Sequence, residues 1–492
     1  MSKEPATKRI KTDRTYPTSF VTWNCNGKCW GYIAYFVTLL ATESAISYVV
    51  YCGLCEGFTS RTQWDRNHLE RLLRETDYPD VICMQEVRLK ATSPSLRGKP
   101  LDSEYLGSVK EVLETLFQDY NKYWSLADTR YSGTLTLLHK RLQFVGSEDT
   151  VAFTPESAIR LLLKQHNLTR KEVGLDVGAD RASKEISNNQ QDESSPKKNK
   201  RQTSVTSFFS VKKSPTKTEA SSSKSNSCQF LEHNEEGRFQ FFFFPNMDVM
   251  QTYVPNNGMK EDSFKKRRQW DKQMKDFFVA RGKILKSAAE RNGAPLSSGK
   301  EYKRPILWCG DLNVARDYRD GTHWKQKEDG TIEEWWTDES KCLVASDKKA
   351  SATNQAKSWE DTGIPSFTPS ERRRCEDLIQ TADLVDIWRE LHPNGVNVQP
   401  GMPSSGDCST FCTDWEMPNF TWRGHLAKSG AYQAKYQGKG QRLDYFLLSP
   451  SSFVRKESVV ESCEILGYGE QRLGLFCGSD HCASLLRLKR KL

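Results

Sequence analysis

A short apolar run that ends in a Gly-Asp-x-Asn turn constrains the fold of this 492-residue chain more than any other stretch. Residues 306–309 are all apolar and predict a buried strand, and Asp311 and Asn313 follow it two positions apart. That spacing places a carboxylate and a carboxamide on one side of the chain, where they can hold a water molecule between them. Gly, Asp and Asn are also ordinary turn residues, so the stretch alone leaves a plain strand-ending turn open.

Other apolar runs in the sequence also end in polar side chains. Residues 20–23 lead to Asn24 and Asn26, and residues 81–85 lead to Glu86. Strands of this kind alternating with helices are typical of layered α/β folds, in which sites assemble at strand ends. The strand-end set is Asn24, Asn26, Glu86, Tyr253, Asn256, Asp311, Asn313, Asp444, Asp480 and His481.

This set of side chains indicates metal-assisted hydrolysis of a phosphodiester. Carboxylates and carboxamides without cysteine suit a hard cation, Mg²⁺ or Mn²⁺. A single His beside acidic groups suits contact with a phosphate, and an Asp with an Asn suits activation of water. The sequence has neither a P-loop nor a G-x-G-x-x-G after a strand, so we expect no nucleotide cofactor.

Amino-acid composition indicates the kind of partner and the cellular location to expect. Lys and Arg outnumber Asp and Glu by 72 to 63, which is compatible with a polyanionic partner. Fourteen scattered cysteines lack a disulfide rhythm and paired zinc-ligand spacing, which favours a reduced intracellular compartment. Residues 1–17 predict a disordered basic tail without a signal peptide; Lys8-Arg9-Ile10-Lys11 fits a nuclear import signal or a solvated tail equally. The nucleus is the expected location.

An apolar segment interrupts the chain after the first predicted strand. Residues 30–54 carry one charge, Glu43, and are long enough to span a membrane. Three interpretations are a membrane helix, a buried insertion, and an intervening sequence retained in the gene model. We favour the third and expect no membrane partner, because deletion of residues 28–57 leaves a continuous Asn-Cys-Asn-Gly-Phe-Thr-Ser-Arg.

Two further insertions are expected, a disordered one at residues 147–236 and a polar one at residues 317–359. The first holds a short predicted helix from Glu156 to Gln165 and a basic stretch, residues 194–218, with seven Lys or Arg and no acid. Residues 202–209 resemble a sliding-clamp (PCNA) interaction box, with apolar anchors on one face of a single helical turn. Its predicted contact residues are Gln202, Val205, Phe208 and Phe209.

Eight motifs occur in one order and resemble the exonuclease III family of apurinic/apyrimidinic (AP) endonucleases, within the endonuclease/exonuclease/phosphatase superfamily. They run from about residue 18 to residue 490, outside the insertions. The Tyr-Val-Pro-Asn, Phe-Thr-Pro and Arg-Leu-Asp-Tyr motifs indicate the DNA-repair branch. The eight are Trp23-Asn24-Cys25-Asn26-Gly27, Gln85-Glu86, Tyr253-Val254-Pro255-Asn256, Gly310-Asp311-Leu312-Asn313-Val314, Phe367-Thr368-Pro369, Phe420-Thr421-Trp422, Arg442-Leu443-Asp444-Tyr445 and Gly478-Ser479-Asp480-His481.

The resemblance implies a catalytic domain over residues 18–492 with an α/β (α+β) fold, a four-layered sandwich of two packed mixed sheets flanked by helices. It also implies Mg²⁺-dependent cleavage 5′ to abasic sites in double-stranded DNA during base excision repair. Companion 3′-phosphodiesterase or 3′–5′ exonuclease activity would act on blocked 3′ ends.

The resemblance also assigns roles to the strand-end residues. Glu86 would be the principal metal ligand with Asn26 and Asp480 nearby, and Asp311 beside Asn313 would orient or deprotonate the attacking water and border the metal. His481, paired with Asp444, would contact the scissile phosphate. Tyr253 and Asn256 would bind phosphate or assist the leaving oxygen. Residues implied to contact DNA are Asn24, Tyr131, Asn256 and Trp422, the last as a wall of the abasic-sugar pocket.

The sequence departs from the family pattern at two positions, and other functions stay open. Asn26 stands where some members have Asp, and Gln441 stands where some have an aromatic residue. The clamp box resembles a feature of the second eukaryotic AP endonuclease type. The alternatives are a phosphatase or RNA deadenylase of the same superfamily, and a clamp-tethered DNA-binding adaptor whose catalytic site is impaired.

Overall fold

The computed structural model describes part of the chain, and two compact units divide it. Thr169–Gln229 form one unit, of which residues 169–175 are described; the other unit holds the remainder, including both of the large sheets. Asn26, the apolar segment at residues 28–57 and the clamp box at residues 202–209 lie outside the described residues. Described are residues 17–24, 66–94, 97–142, 144, 146–175, 236–293, 304–316, 318–321, 325–326, 332–333, 361, 365–393, 419–422, 440–451, 454–455, 459–466 and 479–489.

The first sheet has six strands in the order β13-β14-β1-β2-β4-β3. Within it β1 and β2 run parallel, and the other neighbouring pairs are antiparallel. Every residue of β2 is buried, as its apolar sequence predicts. The strands are β1 (Ser19–Asn24), β2 (Val81–Gln85), β3 (Tyr120–Ser125), β4 (Thr134–His139), β13 (Val460–Ile465) and β14 (Ser484–Leu488).

The second sheet also has six strands, in the order β11-β12-β8-β7-β6-β5. Here β7 and β8 are parallel and the other neighbours antiparallel. The strands are β5 (Val151–Ala152), β6 (Phe239–Phe243), β7 (Asp248–Tyr253), β8 (Ile306–Asp311), β11 (Val385–Asp386) and β12 (Asp444–Ser449). A separate antiparallel pair joins β9 (Lys325–Gln326) and β10 (Ile332–Glu333).

Helices accompany the sheets. They are α1 (Arg66–Glu75), α2 (Asp102–Tyr105), α3 (Ser108–Thr115), α4 (Pro155–Gln165), α5 (Glu261–Arg291), α6 (Pro369–Thr381) and α7 (Ile387–Leu391), with a 3-10 turn at Tyr318–Asp320. The capping box of α6 follows its sequence, since Thr368 accepts a hydrogen bond from the Glu371 N–H and Pro369 occupies the first turn.

The two sheets pack face to face because successive residues of each strand point to opposite faces. Cys83 of β2 and Cys309 of β8 bring their Sγ atoms to 3.6 Å across the interface between the sheets. On the other face of the second sheet, Phe278 of α5 lies 5.6 Å from the ring of Trp308. The predicted architecture of two packed mixed sheets flanked by helices is confirmed.

The insertion predicted at residues 147–236 begins later than expected. Val151–Ala152 forms edge strand β5 and Pro155–Gln165 forms α4. Thr154 caps that helix, because its hydroxyl accepts from the N–H of Ser157 at 2.9 Å and its own N–H donates to the Ser157 hydroxyl at 3.0 Å. The buried apolar face of α4 therefore assigns this part of the predicted insertion to the sandwich.

The longest of the described helices is α5, from Glu261 to Arg291. Within the described ranges, none of the helices is both long and apolar enough to cross a membrane.

Candidate active site

Three predicted site residues lie side by side at one edge of the second sheet, where β7 and β8 end and β12 begins. Asp311 is opposite Tyr253 in the parallel β7–β8 register and opposite Asp444 in the antiparallel β8–β12 register. Directly opposed residues project from the same face of a sheet. The sheet register alone therefore groups a phenol and two carboxylates at one edge.

Asn313 holds the carboxylate of Asp311 in place. Its backbone N–H donates to Asp311 Oδ1 at 2.8 Å, and its Nδ2 donates to Asp311 Oδ2 at 3.3 Å and to the Val254 carbonyl at 2.8 Å. Its Oδ1 accepts from Asn256 Nδ2 at 3.0 Å. The side chain predicted to orient water therefore orients the carboxylate and links it to Asn256.

His481 and Asp444 form a buried pair. The His481 Nδ1 lies 2.8 Å from Asp444 Oδ2, and both side chains are almost inaccessible to solvent. Burial by itself lowers the pKa of His481, but the carboxylate of Asp444, with those of Asp311 and Asp480, raises that pKa to about 10. At neutral pH this ring is an imidazolium, which donates hydrogen bonds and attracts an anion.

Glu86 enters the site from the first sheet, directly after β2. Burial raises its pKa, yet the charge and hydrogen bond of Arg88 and the hydroxyl of Tyr253 outweigh burial and keep that pKa below its ordinary value. Arg88 Nη2 donates to Glu86 Oε1 at 2.9 Å. The charge of Arg88 also interacts with Asp480. Two predicted metal ligands, Glu86 and Asp480, thus share one positive neighbour.

Tyr253 is buried against a guanidinium that the sequence did not single out. The Arg238 guanidinium lies 4.5 Å from the centroid of the Tyr253 ring and 5.3 Å from that of Tyr131. Burial, and then the charge of Glu86, raise the pKa of Tyr253 well above its ordinary value. The phenol therefore keeps its proton and acts as a donor. Tyr131 is 48% exposed, so its ring is accessible from solvent.

Trp422 is joined to the rest of the site by isolated bridges. Its backbone exchanges hydrogen bonds with Gln441 at 2.8 and 2.9 Å, and it also bridges to His481. Its Nε1 donates to Asp480 Oδ2 at 3.3 Å. The indole is thus held beside the Asp480–His481 segment.

Arg442 is a second residue whose role the sequence left unassigned. This fully buried guanidinium donates from Nε to Asp320 Oδ1 at 2.8 Å and from its two Nη atoms to Asp386 at 3.0 and 2.6 Å. Asp320 was predicted to lie in the polar insertion at residues 317–359, but its side chain is buried and accepts the hydrogen bond from Arg442. The position of Arg442 in the Arg-Leu-Asp-Tyr motif, two residues before Asp444, is the signal that would have found it.

Oxygen-rich ligands for a hard cation converge here. Asp311, Asp444 and His481 have ligand atoms within 4.8 Å of one another. A protonated imidazole has no lone pair for a metal, so His481 suits a phosphate better than a cation. Asp444 Oδ1 is buried and has no hydrogen-bond partner among the described residues, which leaves an acceptor for a bound group. Carboxylates of this kind fit Mg²⁺ or Mn²⁺.

The predicted metal ligands and DNA contacts are only partly described. Glu86, Asp480, Asp311 and Asn313 surround the site, whereas Asn26 lies outside the described residues. For Asn24 the backbone is described as the last residue of β1.

Curated relatives carry nuclease names. An Arabidopsis thaliana protein named DNA-(apurinic or apyrimidinic site) endonuclease is 26% identical over 489 residues, covering 96% of this chain and 85% of that protein. A Plasmodium berghei protein of the same name is 23% identical over 438 residues, covering 84% of this chain and 57% of its own length. A Bacillus subtilis exodeoxyribonuclease is 28% identical over 251 residues, covering 51% and 64%.

Family models and solved structures add two facts. No family model matches the sequence. The AP endonuclease LMAP from Leishmania major has a TM-score of 0.45 and 16% identity, covering 99% of this chain and 92% of that one. The ordered motifs, the residues gathered around the strand ends and the curated relatives lead to one conclusion: the chain is similar to the exonuclease III family of AP endonucleases.

Proposed function

We propose that this protein is a DNA repair nuclease that hydrolyses the phosphodiester 5′ to abasic sites in double-stranded DNA, acting in base excision repair. The same site would remove blocked 3′ ends and act as a 3′–5′ exonuclease. The single observation that carries the proposal is the grouping of Asp311 and the His481–Asp444 pair, two of whose members are opposed in the sheet register. The nuclease names of the relatives support the same reaction class.

In the proposed reaction, Asp311 takes a proton from the attacking water. Asn313 holds that carboxylate through two hydrogen bonds, so its orientation is set before substrate arrives. The water attacks phosphorus, and the bond to the 3′ oxygen of the preceding nucleotide breaks, which leaves a 3′-hydroxyl on that nucleotide. A carboxylate fixed in this way avoids reorganisation during the reaction.

His481 and Tyr253 would act on the phosphate. The imidazolium of His481, kept charged by Asp444, would neutralise a phosphate oxygen on which negative charge develops. The phenol of Tyr253, which keeps its proton, would donate to a phosphate oxygen or to the leaving oxygen. Asn256, an exposed residue on the loop after β7, would contribute a further phosphate contact.

We propose Glu86, Asp480 and Asn26 as the residues that would hold Mg²⁺ or Mn²⁺, with Asp311 and Asn313 bordering it. The chemistry that such an ion supplies when bound is neutralisation of charge on the phosphate. The depressed pKa of Glu86 keeps that side chain a carboxylate, the form that a hard cation requires.

DNA and clamp contacts complete the proposal. Trp422 would wall the pocket for the extruded abasic sugar, and Tyr131 and Asn24 would contact the DNA backbone. The net charge of +9 favours a polyanionic substrate. We further propose nuclear localisation and binding of the sliding clamp PCNA through Gln202, Val205, Phe208 and Phe209, on the basis of their sequence pattern.

A gel assay tests the nuclease proposal. The full chain and a form lacking residues 28–57 would be incubated with an abasic-site duplex and a 3′-recessed duplex, with and without Mg²⁺, beside an Asp311→Asn variant. We expect Mg²⁺-dependent incision that the variant loses, and the ratio between the duplexes ranks the two activities. Folded protein that cleaves neither duplex would reject the proposal and favour the DNA-binding adaptor.

A further inference from the structure

The long helix α5 carries two buried arginines, which lie near opposite ends of the parallel strands β7 and β8. Arg267 and Arg281 are 2% and 6% exposed. Arg267 lies at the carboxyl ends of β7 and β8, where the candidate site is. Arg281 lies at their amino ends, where it donates to Asp248 Oδ2 and to the Arg304 carbonyl, each at 2.7 Å.

Arg267 joins two loops that carry site residues. Its Nη1 donates to the Pro255 carbonyl at 3.1 Å and to the Asn313 carbonyl at 2.9 Å. Pro255 lies in the loop after β7, between Tyr253 and Asn256, and Asn313 lies in the turn after β8, beside Asp311. One guanidinium nitrogen therefore ties the loop assigned to phosphate binding to the turn assigned to water activation.

The guanidinium is itself held rigidly. Its Nε donates to both carboxylate oxygens of Asp271, one turn along α5, at 3.0 and 3.1 Å. Glu371 Oε1, in the first turn of α6, lies 3.8 Å from Nη1. The planar fork of an arginine is suited to several partners at once, which a lysine ammonium cannot match.

Asn313 needs such support because its backbone is strained. Its φ is +47°, in the left-handed region that residues other than glycine rarely adopt. That conformation points its N–H and its Nδ2 at Asp311. A hydrogen bond to the carbonyl of the same residue stabilises the turn.

We propose that Arg267 is a positioning residue for phosphodiester hydrolysis. It sets the distance between the Asp311–Asn313 turn and the Tyr253–Asn256 loop without touching substrate. The inference rests on the proposed function, since it concerns the same site. Misplacement of a reacting group by about 1 Å costs on the order of 100-fold in rate, so loss of this link is expected to slow the chemical step by about 10- to 100-fold.

Arg281 provides the matched control. It is a similarly buried arginine on the same helix, bound to Asp248 at the start of β7 and to the Arg304 carbonyl just before β8, at the end remote from the site. A purely structural role predicts that Arg267→Met and Arg281→Met behave alike. A positioning role predicts that only the first affects the chemical step.

The test uses the full chain with an abasic-site duplex and Mg²⁺. Single-turnover cleavage rate, duplex affinity measured without metal, and unfolding temperature would be compared for wild type and both methionine variants. We expect the unfolding temperature of both variants to be lower than that of the wild type. Only Arg267→Met should cleave the duplex tenfold or more slowly than the wild type. Its affinity for the duplex should stay within about threefold of the wild-type value. Equal cleavage rates for the two variants would overturn the inference.

Lysine variants decide the question if the methionine variants do not fold. Arg267→Lys keeps the charge but loses the fork, so we expect a rate between those of wild type and Arg267→Met, while Arg281→Lys cleaves at the wild-type rate. Equal rates for both lysine variants would also overturn the inference. An inactive, folded wild type would instead reject the proposed function itself, and the positioning role with it.

Discussion

Two residues at the site, Glu86 and Asn313, share an uncommon backbone conformation. Their φ angles are +53° and +47°; Glu86 follows directly on β2 of the first sheet, and Asn313 comes two residues after the end of β8 in the second. Such conformations cost about 1–3 kcal/mol and persist where the surrounding structure enforces them. In this conformation Asn313 donates from its N–H and its Nδ2 to Asp311, and Glu86 accepts a hydrogen bond from Arg88.

Asn313 separates the contribution of its backbone from that of its side chain. Asn313→Gly removes the side-chain hydrogen bonds to Asp311 and Val254, but glycine adopts the left-handed φ without strain. Asn313→Ala removes the same hydrogen bonds and is strained at this φ. We expect both variants to cleave about 100-fold more slowly. Urea unfolding should find the alanine variant about 1 kcal/mol less stable than the glycine variant. Equal stability would show that the left-handed turn is not strained.

The His481–Asp444 pair makes a pH prediction. In the wild type the pKa of His481, raised to about 10, keeps the imidazolium through neutral pH, and this charge is lost only as pH rises through that value. Asp444→Asn removes the main source of the raised pKa. With an ordinary pKa near 6.5, His481 would be charged in about 3% of the molecules at pH 8, so the population with a charged ring would be about 30-fold smaller than in the wild type.

The measurement is a pH–rate profile of cleavage by wild type and Asp444→Asn between pH 5.5 and 9, with duplex in excess. The variant's rate should fall as pH rises above its histidine pKa, while the wild type's should not. A profile of unchanged shape would show that the charge of His481 is not needed.

At the scale of single elements, β8 shows where a strand depends on one glycine. Gly310 pairs with Thr252 of β7 and Tyr445 of β12 at a φ of +132°. A Cβ atom there would lie 1.9 Å from the Thr252 carbonyl oxygen. The strand therefore continues to Asp311 only because residue 310 lacks a side chain.

Gly310→Ala is accordingly expected to destabilise the protein by about 3 kcal/mol or more, since backbone must move to relieve the clash. Gly107→Ala is the matched control, because Gly107 also has a positive φ, +96°, but has open space around its Cβ position. That change should cost about 1 kcal/mol. Equal midpoints for the two variants in urea unfolding would contradict this account of β8.

The elements also show where sequence patterns sufficed. The apolar run of β2 is a local feature, and the strand predicted there is present and buried along its whole length. We assigned α4 to an insertion because the segment that follows it in the sequence is polar and repetitive. Its N-terminal cap and its apolar face were nevertheless visible in the sequence. Trp422, in the Phe-Thr-Trp motif, is held by isolated bridges to Gln441 and His481, partners that lie far from it in the sequence.

At the scale of the whole molecule, a buried charge network joins distant parts of the chain. Arg442 connects Asp320, in the 3-10 turn after β8, to Asp386 at the start of α7. Burial raises the pKa of Asp320, but Arg442 and Arg389 outweigh burial and lower that pKa to about 2. Removal of one partner from such a network leaves an uncompensated buried charge.

The lowered pKa of Asp320 therefore predicts that the stability of the fold decreases in acid. Because its folded pKa lies below the ordinary 3.8, its stabilising contribution is complete above about pH 4 and is lost as pH falls towards 2. The difference corresponds to about 2 kcal/mol. Asp320→Asn should lower the free energy of unfolding at pH 7 by at least that amount and flatten its decline between pH 4 and 2, measured by urea unfolding at several pH values. A decline as steep as the wild type's would exclude Asp320 as its source.

The sequence by itself determined several of the central strands, the resemblance to a nuclease family and the list of polar residues near strand ends, because these depend on local periodicity and on the order of motifs along the chain. The tertiary structure alone decided how those residues meet. Arg238 and Arg267 were not singled out, since a buried arginine outside a recognised motif is identified only from the partners that fold around it. The opposition of Asp311 to Tyr253 and Asp444 is likewise a matter of strand register between segments about 60 and 130 residues apart, and register is set by the packing of whole sheets.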